Sequence, residues 1–445
     1  MAFGLARLSA LFALSVTFLP SLAQLTGHVG PTTTTKAKQA KICNVLDYGG
    51  TKGSSDIGPA IGSAFSECVK PNPGSTLYVP EGNYDMETWQ TLSGGSKWAF
   101  QLDGIITRTG TSGGNMILVE NTSDFEFFSS NSAGAIQGNG YQVRNTGPRL
   151  LRIAKTKDFS VHDIILVDSP VFHLVIQEGT NGEVYNMAIR GTNLGGSDGI
   201  DVWGTNNWIH DVEVTNRDEC VCVKSPSSNI MVERVWCNQS GGSSIGSLGA
   251  GVAVEDIYYR DVYTNGGNQI FLIKSWGGSG YAKNILLENF LSHNTAYGLD
   301  VDQYWSGMTQ ADGAGVQLSN ITFRDWEGAV ADGVKRPPIQ FICSNSVPCT
   351  GMHLDNVKLW SNTDEAVNKC QSAFGDGGSC LKSGTVDNYN VITTTVSRPP
   401  GYTSPPTLSG DLSSGFATNS PIPIPTIPTT FFPGKPQISP LAKNL

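Results

Sequence analysis

A seven-residue pattern of apolar and polar positions recurs along the chain. It reads Asn or Asp, apolar, any residue, apolar, any residue, Asn or Asp, apolar. Clear copies begin at Asp158, Asn229, Asp256, Asn284 and Asn320, and weaker copies begin at Asn181, Asn206 and Gly351. Successive copies start 23, 25, 23, 27, 28, 36 and 31 residues apart, so the pattern repeats once per short structural unit.

The apolar residues alternate within each copy, which is typical of a β-strand. Self-similarity with a period of about 20–50 residues is the signature of a solenoid. Because the units are strands and not helices, the sequence predicts a parallel β-helix whose coils stack about 4.8 Å apart. We therefore predict one all-β domain over residues 24–390, a single-stranded right-handed parallel β-helix.

Two different segments flank the predicted solenoid. Residues 56–69 have the apolar spacing of a helix, with Asp56 as candidate N-cap, so we predict a short helix that covers the edge of the first coil. Residues 391–445 contain 11 of the 23 prolines among many Ser and Thr. Because proline cannot donate to a sheet, we predict an extended Pro/Ser/Thr-rich tail, packed on or beyond the solenoid.

The first residues have the features of a secretory signal peptide. Met1–Ala23 carries Arg7, then the apolar run Leu8–Leu19, and ends in a small-x-small cleavage sequence. We expect cleavage before Gln24 and a secreted, extracellular protein. Three Asn-x-Ser/Thr sequons fit secretion and are predicted glycosylation sites: Asn121, Asn238 and Asn320.

Nine cysteines in a secreted chain predict four disulfide bridges and one free thiol. We predict pairing between cysteines that are near one another in the sequence: Cys43 with Cys68, Cys220 with Cys237, Cys343 with Cys349, and Cys370 with Cys380. Cys222 is left over, and we expect it to be a buried free thiol.

Charge and composition exclude several classes of partner. The net charge of −9 argues against nucleic acid, which requires a basic face. Beyond the leader no apolar run reaches 18 residues, so we expect no membrane span. No His/Cys cluster has metal-ligand spacing, so we predict neither metal nor cofactor. We expect a monomer.

Four carboxylates stand out against the repeat. Asp198 and Asp201 begin one short β-branched run, and Asp218 and Glu219 begin the next, about twenty residues later. With nearly one coil between them, the two sets should stack on one face. Like charges held close together push one pKa upward, so that one carboxyl can act as acid while another acts as base. This is the equipment for glycoside hydrolysis.

The following coils extend the same face. Lys274 lies at the matching strand end, where a cation would attract an anionic sugar. His293 precedes a strand on that face, and we expect it in the groove on the order of 14 Å from Asp218, with a direct catalytic part as one hypothesis. Three other histidines occupy non-apolar positions of the repeat and are expected on the surface: His162, His210 and His353.

The motifs of this region resemble those of glycoside hydrolase family 28, the polygalacturonase clan. That family has Asn-Thr-Asp, Asp-Asp, Gly-His-Gly and Arg-Ile-Lys in order. Here Ser197-Asp198, Asp218-Glu219, Ser240-Gly-Gly242 and Leu272-Ile-Lys274 stand at those places. The departures, Asp-Glu-Cys-Val, Ser-Gly-Gly without histidine and Ile-Lys-Ser, are similar to the rhamnogalacturonase branch of the family.

This resemblance implies a secreted, endo-acting, inverting hydrolase of a pectic polysaccharide. Its substrate would be the rhamnogalacturonan I backbone, cut at the bond from galacturonic acid to rhamnose. By the same resemblance Asp218 is the general acid, and Asp198 and Glu219 are the bases that activate water. Asp201 supports the cluster and, with Lys274, binds substrate.

Three alternatives stay open at this point. A polygalacturonase or xylogalacturonan hydrolase would use the same groove and release reducing ends from homogalacturonan or its xylosylated form. A β-helix pectin lyase would need Ca²⁺ to neutralise the uronate and would leave an unsaturated product. A non-catalytic wall-binding solenoid would bind polysaccharide without turnover.

Overall fold

The computed structural model describes residues 25–363 and 365–445, which form a parallel β-solenoid of about 12 coils. Strands account for 52% of the residues and helices for 6%. The predicted all-β solenoid is therefore confirmed. The predicted leader Met1–Ala23 lies outside the described residues.

The first coils are built from short strands. They are β1 (Lys41–Asn44), β2 (Gly53–Asp56), β3 (Ser75–Val79), β4 (Asn83–Met86), β5 (Gln90–Ser93), β6 (Ser96–Leu102), β7 (Ile105–Arg108), β8 (Asn115–Glu120), β9 (Ser123–Phe128), β10 (Ala135–Gln137), β11 (Arg149–Ala154), β12 (Lys157–His162) and β13 (Ile165–Val167).

Later coils contain longer strands that continue around a corner of the solenoid. They are β14 (Leu174–Arg190), β15 (Ile200–Thr215), β16 (Val221–Asn238), β17 (Ser243–Leu248), β18 (Val252–Asn265), β19 (Gln269–Ser275), β20 (Gly280–Thr295), β21 (Tyr297–Asp302), β22 (Gln317–Val330), β23 (Ile339–Ile342), β24 (Cys349–Ser361), β25 (Ala366–Gln371), β26 (Ala373–Asp376) and β27 (Ile392–Val396).

Each strand pairs in parallel with its counterpart in the next coil. The starts of β14, β15 and β16 stack on one another, and this stack continues through β17, β19, β21 and β23. We call it the site sheet. The stack ends with β27, which pairs antiparallel to β25.

The polar ends of the seven-residue pattern are the corners of the coils. Asp158 and Asp163 have φ angles of 51° and 56°, and Asp256 and Asp261 both have 57°. Apart from glycine, Asn and Asp tolerate this left-handed conformation best. Between the corners, the apolar side chains point inward and are fully buried, as at Phe159. The repeat therefore encodes both the turns and the core of each coil.

A helical segment covers the first coil, but its form differs from the predicted continuous helix over 56–69. An α-helix, α2, spans Gly58–Ser63, and a π-helical segment follows over Ala64–Val69. Asp56 belongs to β2 and is not the N-cap, although its carboxylate accepts a hydrogen bond from Gly58 N at 2.9 Å. The helix starts at Gly58 because Pro59 fits its first turn.

The remaining helical elements are short. They are α1 (Thr35–Lys38) and the 3₁₀ turns Val45–Tyr48, Gly140–Gln142 and Ala442–Asn444. None of the helices in the described ranges is long and apolar enough to cross a membrane.

The disulfide prediction is confirmed. Bridges join Cys43 to Cys68, Cys220 to Cys237, Cys343 to Cys349 and Cys370 to Cys380. Cys222 is free and buried.

The tail after residue 391 lies against the solenoid. Ile422, Ile427 and Phe431 pack on side chains of early coils such as Ile165 and Val167. These contacts show where the tail lies, while the predicted domain boundaries stay predictions.

Residues 435–443, which we call the C-terminal strap, run along a row of coil corners. Lys435 binds Asp261, Ile438 N donates to Asp211 at 2.7 Å, and Ala442 N donates to Asp163 at 2.8 Å. The strap therefore crosses several coils in succession.

The tail also covers one predicted glycosylation site. Asn238 is fully buried, and its amide donates to the Gly410 carbonyl at 3.1 Å. Asn121 and Asn320 are exposed. Glycosylation stays a prediction at all three positions, and at Asn238 it would require displacement of the tail.

Candidate active site

The first pair of carboxylates lies where the chain enters β15. Ile200 and Val202 fill the core, so Asp201 between them points out of the coil. Asp198 lies two residues before the strand, at the end of a glycine-rich turn. Both carboxylates are nonetheless almost fully buried, at 3% and 4% exposure.

The second pair lies one coil on, directly before β16. Gly199 N donates to the Glu219 carbonyl at 2.8 Å, which fixes this turn on the one before it. Cys220 follows the pair and is bridged to Cys237 in the same coil. Backbone pairing and a covalent bond therefore hold the turn of Asp218 and Glu219.

The fold brings these carboxylates together, as their spacing predicts. One carboxylate oxygen each from Asp198, Asp218 and Glu219 lies within 4.8 Å of the other two. Asp218 is the least buried of the three. Its carboxylate accepts hydrogen bonds from Gly196 N at 2.5 Å and from Glu219 N at 3.0 Å, which orient it.

Two lysines balance part of this negative charge. Lys274 donates a hydrogen bond to Glu219, and its ammonium lies 5.8 Å from the centre of the Trp305 ring. Lys224 Nζ lies 3.2 Å from Asp201 and 3.7 Å from Asp198. Sequence reasoning missed Lys224. The alternation of β16 held the signal, because Val221 and Val223 face the core and Lys224 therefore faces outward.

Burial and mutual repulsion perturb the first pair. Burial, reinforced by the charge of Asp218, raises the pKa of Asp198 to about 6. Burial, reinforced by Asp198, raises the pKa of Asp201 to about 7. Lys224 opposes both shifts without cancelling them. The cluster can therefore retain a proton in mildly acidic solution.

Asn216 holds the two carboxylate turns at a fixed spacing. Its side-chain amide donates to the Ser197 carbonyl at 2.8 Å and to the Glu219 carbonyl at 2.9 Å. Its oxygen accepts from the Ser240 hydroxyl at 2.6 Å. The side chain is fully buried, and no feature of the sequence pattern distinguished it from other asparagines.

His173 fixes the backbone at Asp198. Burial lowers the pKa of this fully buried histidine to about 4, so its ring is neutral. Nε2 accepts from Ser169 N at 3.3 Å, and Nδ1 therefore carries the proton that it donates to the Asp198 carbonyl at 2.9 Å. Sequence reasoning missed this residue as well.

The structure places His293 against the tail. Its Nε2 lies 3.4 Å from the Pro406 carbonyl, and its ring packs edge-on against Tyr263 at 5.9 Å. His293 lies near the end of β20, and these contacts keep its ring against the tail and not in the carboxylate cluster. A part in catalysis stays a prediction for His293.

Two histidines expected on the surface are buried, and that expectation is wrong. His162 is hydrogen-bonded between Asp163 at 2.9 Å and Glu126 at 3.0 Å. His210, fully buried, is held in the same way by Asp211 and Glu183. We call these six residues the histidine ladder. His353 is exposed as expected.

The carboxylate cluster on a parallel β-helix is the arrangement of a glycoside hydrolase. The family profile of Glycosyl hydrolases family 28 matches residues 77–380. The chain therefore belongs to this family, as its motifs indicate.

Relatives named as rhamnogalacturonases match along nearly the whole chain. Rhamnogalacturonase A of Aspergillus niger is 52% identical over 439 residues, which are 97% of this chain and 98% of that protein. Rhamnogalacturonase A of Emericella nidulans is 54% identical over 426 residues, which are 94% of this chain and 83% of that protein.

Solved structures with the same fold are more distant in sequence. The endo-xylogalacturonan hydrolase of Aspergillus tubingensis has a TM-score of 0.66 at 21% identity, covering 77% of this chain and 99% of that chain. An exopolygalacturonase of Thermotoga maritima has a TM-score of 0.59 at 13% identity, covering 84% of this chain and 97% of that chain. At such identities the likeness concerns the fold alone.

Proposed function

We propose that the protein cleaves the rhamnogalacturonan I backbone of pectin within the chain, at the bonds from galacturonic acid to rhamnose. The observation that carries this proposal is the cluster of Asp198, Asp218 and Glu219, flanked by two lysines on stacked coils. The relatives named rhamnogalacturonase support the choice of substrate.

Asp218 is the proposed general acid. It is the most accessible of the three carboxyls, and hydrogen bonds orient both of its oxygens. Asp218 donates its proton to the leaving oxygen, and the neighbouring Asp198, whose pKa is raised to about 6, is a second carboxyl that can hold a proton in the free enzyme. An oxygen of Asp198 lies within 4.8 Å of Asp218.

Asp198 and Glu219 are the proposed bases. Each is close to a lysine, Asp198 to Lys224 and Glu219 to Lys274. In this role they orient and deprotonate a water molecule. Attack by that water gives inversion of configuration without a covalent intermediate.

The separation of the carboxylates makes stereochemistry a sharp test. One oxygen from each carboxylate lies within 4.8 Å of the others, whereas inverting enzymes typically separate their carboxyl groups by about 6.5–9.5 Å. The proposal of inversion therefore depends on the resemblance to the family and not on the separation.

The two lysines are suited to an anionic sugar. Lys274, backed by Trp305, and Lys224, beside Asp201, provide cations in a groove that otherwise carries carboxylates. We propose that Lys274 and Asp201 bind the galacturonate beside the cleaved bond. No cofactor is required for this chemistry.

Product analysis tests the substrate. The purified protein should release oligosaccharides from rhamnogalacturonan I and none from homogalacturonan, and early-time NMR should show the inverted anomer. Release from homogalacturonan or xylogalacturonan alone would instead establish one of the alternative hydrolases. An unsaturated, ultraviolet-absorbing product that disappears with chelator would establish a lyase, and retention would overturn the roles of the bases.

We also propose that the protein is secreted and acts as a monomer outside the cell. The predicted leader and the four disulfides support secretion, since such bridges persist in oxidising compartments. Mass spectrometry of the protein from culture medium should find a mature start at Gln24. Light scattering of the same sample should give the mass of one chain.

A further inference from the structure

A second groove lies beside the active site on the neighbouring face of the solenoid. It has a volume of about 440 Å³. We call it the side groove, and the residues that matter for its chemistry are Glu178, Thr180, Thr205, Ser228, Glu255 and Tyr281.

The side groove is built from the same coils as the catalytic cluster. Asp201 and Thr205 lie on one strand, β15, four positions apart. Lys224 is followed two residues later by Pro226, which also lines the groove. The catalytic cluster and this groove are therefore separated by only a few residues along the same strands.

The polar side chains of the side groove are in register from coil to coil. Thr180 pairs with Thr205, Thr205 with Ser228, and Ser228 with Glu255. The hydroxyls of Thr205 and Ser228 are 3.2 Å apart. Because coils stack about 4.8 Å apart, the row repeats at a spacing close to that of sugar units in an extended glycan.

The chemistry of the side groove differs from that of the active site. Among the described residues that line it there are two glutamates and no lysine or arginine. Lys283 lies beside it, but its ammonium is paired with Glu255 at 3.1 Å and rests 4.5 Å from the Tyr281 ring centre. A uronate would therefore meet carboxylates, whereas a neutral sugar can donate its hydroxyl hydrogens to them.

We propose that the side groove binds the neutral oligosaccharide side chains of the polysaccharide whose backbone is cut at the catalytic cluster. The sugar hydroxyls bond to the row of Thr, Ser and Glu side chains, and an apolar sugar face packs near Tyr281. This inference rests on the proposed function for its polymer, but the binding of free neutral oligosaccharide does not depend on turnover.

Direct binding is the first test. Titration NMR of the intact protein should detect galactan- and arabinan-type oligosaccharides in separate arms, and oligogalacturonate should not compete. Thr205→Trp fills the groove and should weaken binding at least about tenfold, or about 1.4 kcal/mol. The matched control is Thr350→Trp, in the same row of the sheet but five strands further along and outside the groove. It should change the affinity less than about twofold, or about 0.4 kcal/mol.

Hydrolysis is the second test. Thr205→Trp should lower kcat/KM on side-chain-bearing rhamnogalacturonan while it leaves kcat/KM on the debranched polymer unchanged. Absence of neutral-sugar binding by the unaltered protein, binding that Thr205→Trp does not weaken, or binding of oligogalacturonate at the side groove would each overturn the inference. If neither polymer is cleaved but neutral sugars still bind, the proposed function is wrong, while the proposal that the side groove binds neutral sugars is supported.

Discussion

The protein contains two buried groups of carboxylates that have opposite electrostatic settings. In the histidine ladder, each imidazole lies between two carboxylates and, when protonated, offsets one of their two negative charges. In the catalytic cluster, carboxylates face one another, and the two lysines reach them from the edge. Both groups lie on the outside of the same solenoid, so the difference arises from their partners.

The pKa shifts follow from this difference. Burial opposes a charged ring at His162, but its hydrogen bonds to Asp163 and Glu126 outweigh burial and raise its pKa to about 9. The contact with His162, reinforced by Thr35 and Lys38, lowers the pKa of Glu126 despite burial. At Asp198 and Asp201, burial is reinforced by a neighbouring carboxylate, and both pKa values rise. The ladder thus favours a charged His162 beside an ionised Glu126, whereas the cluster favours a retained proton.

The comparison shows how buried charge is divided between structure and chemistry. Paired, hydrogen-bonded charges hold coils together, and rings of the ladder stack on aromatic neighbours, as His162 does on Tyr185 at 4.6 Å. Carboxylates that repel one another store free energy that a proton or a substrate can release. Four predictions test this division, from the largest expected effect to the smallest.

The amide substitution Asp218→Asn should abolish most of the activity. It keeps the size of the side chain but removes the transferable proton, so kcat should fall at least about 10²-fold with KM nearly unchanged. Steady-state kinetics on rhamnogalacturonan I measure this, with thermal unfolding to show that the variant is folded. Near-full activity would remove Asp218 from the mechanism.

Replacing His162 by Phe should damage stability and spare chemistry. The ring still packs on Tyr185, but Glu126 and Asp163 lose their shared cation, a change that typically costs about 3–5 kcal/mol at buried pairs. Urea unfolding measures the loss of stability. The kcat of the folded fraction should be unchanged, and a fall in kcat would show that the ladder and the cluster are coupled.

Removal of the Cys220–Cys237 bridge by a double Ala substitution tests how the cluster is held. The bridge spans 17 residues, and closure of a loop of this size contributes about 3 kcal/mol in the entropic description. Unfolding should occur at correspondingly lower denaturant concentration. Removal of the more distant Cys370–Cys380 bridge is the matched control, which should lower stability without lowering kcat.

The pH dependence of stability should distinguish the two groups by their pH windows. The pKa of His162 is raised from 6.5 to about 9, so its stabilisation is complete below pH 6.5 and is lost as the pH rises through 9. The pKa of Asp201 is raised from 3.8 to about 7, so between these pH values the folded state binds more protons than the unfolded state. Stability therefore falls as the pH rises from 3.8 to about 7.

Asp201→Asn should reduce the fall in stability between pH 3.8 and about 7 and leave the loss of stability near pH 9 unchanged. The expected change is about 1 kcal/mol or more, since one pKa unit corresponds to about 1.4 kcal/mol. Unfolding at pH 4, 7 and 9 provides the measurement. An unchanged slope between pH 4 and 7 would show that Asp201 does not carry this proton.

The sequence predicted the solenoid because its turns require particular residues. Asn and Asp recur where the backbone is left-handed, as at Asn284 and Asn289 with φ angles of 55° and 58°. The same period placed Asp198 and Asp218 in adjacent coils. Such local rules act through the neighbouring residues, and they are visible in one sequence.

Contacts between distant segments could not be predicted in this way. His162 and Glu126 lie on the outward face of their strands, yet Thr35 of the N-terminal segment covers Glu126 with a hydrogen bond of 2.7 Å across 91 residues. Asn216 and His173 bind the backbone carbonyls of Ser197 and Asp198, each in a neighbouring coil. Alternation tells which side of a strand a residue occupies, but not which remote segment will cover that side.

The C-terminal strap gives the protein a fixed order of assembly during synthesis. Its residues Lys435, Ile438 and Ala442 bind carboxylates that precede them by 174, 227 and 279 residues. Those coils leave the ribosome long before the strap is translated, with Asp163, Asp211 and Asp261 still lacking these donors. A nascent chain can therefore wind its coils in sequence, but the row of corners is closed only after the strap emerges. Loss of the strap would therefore destabilise coils that were synthesised early, because it removes the donors to their corner carboxylates.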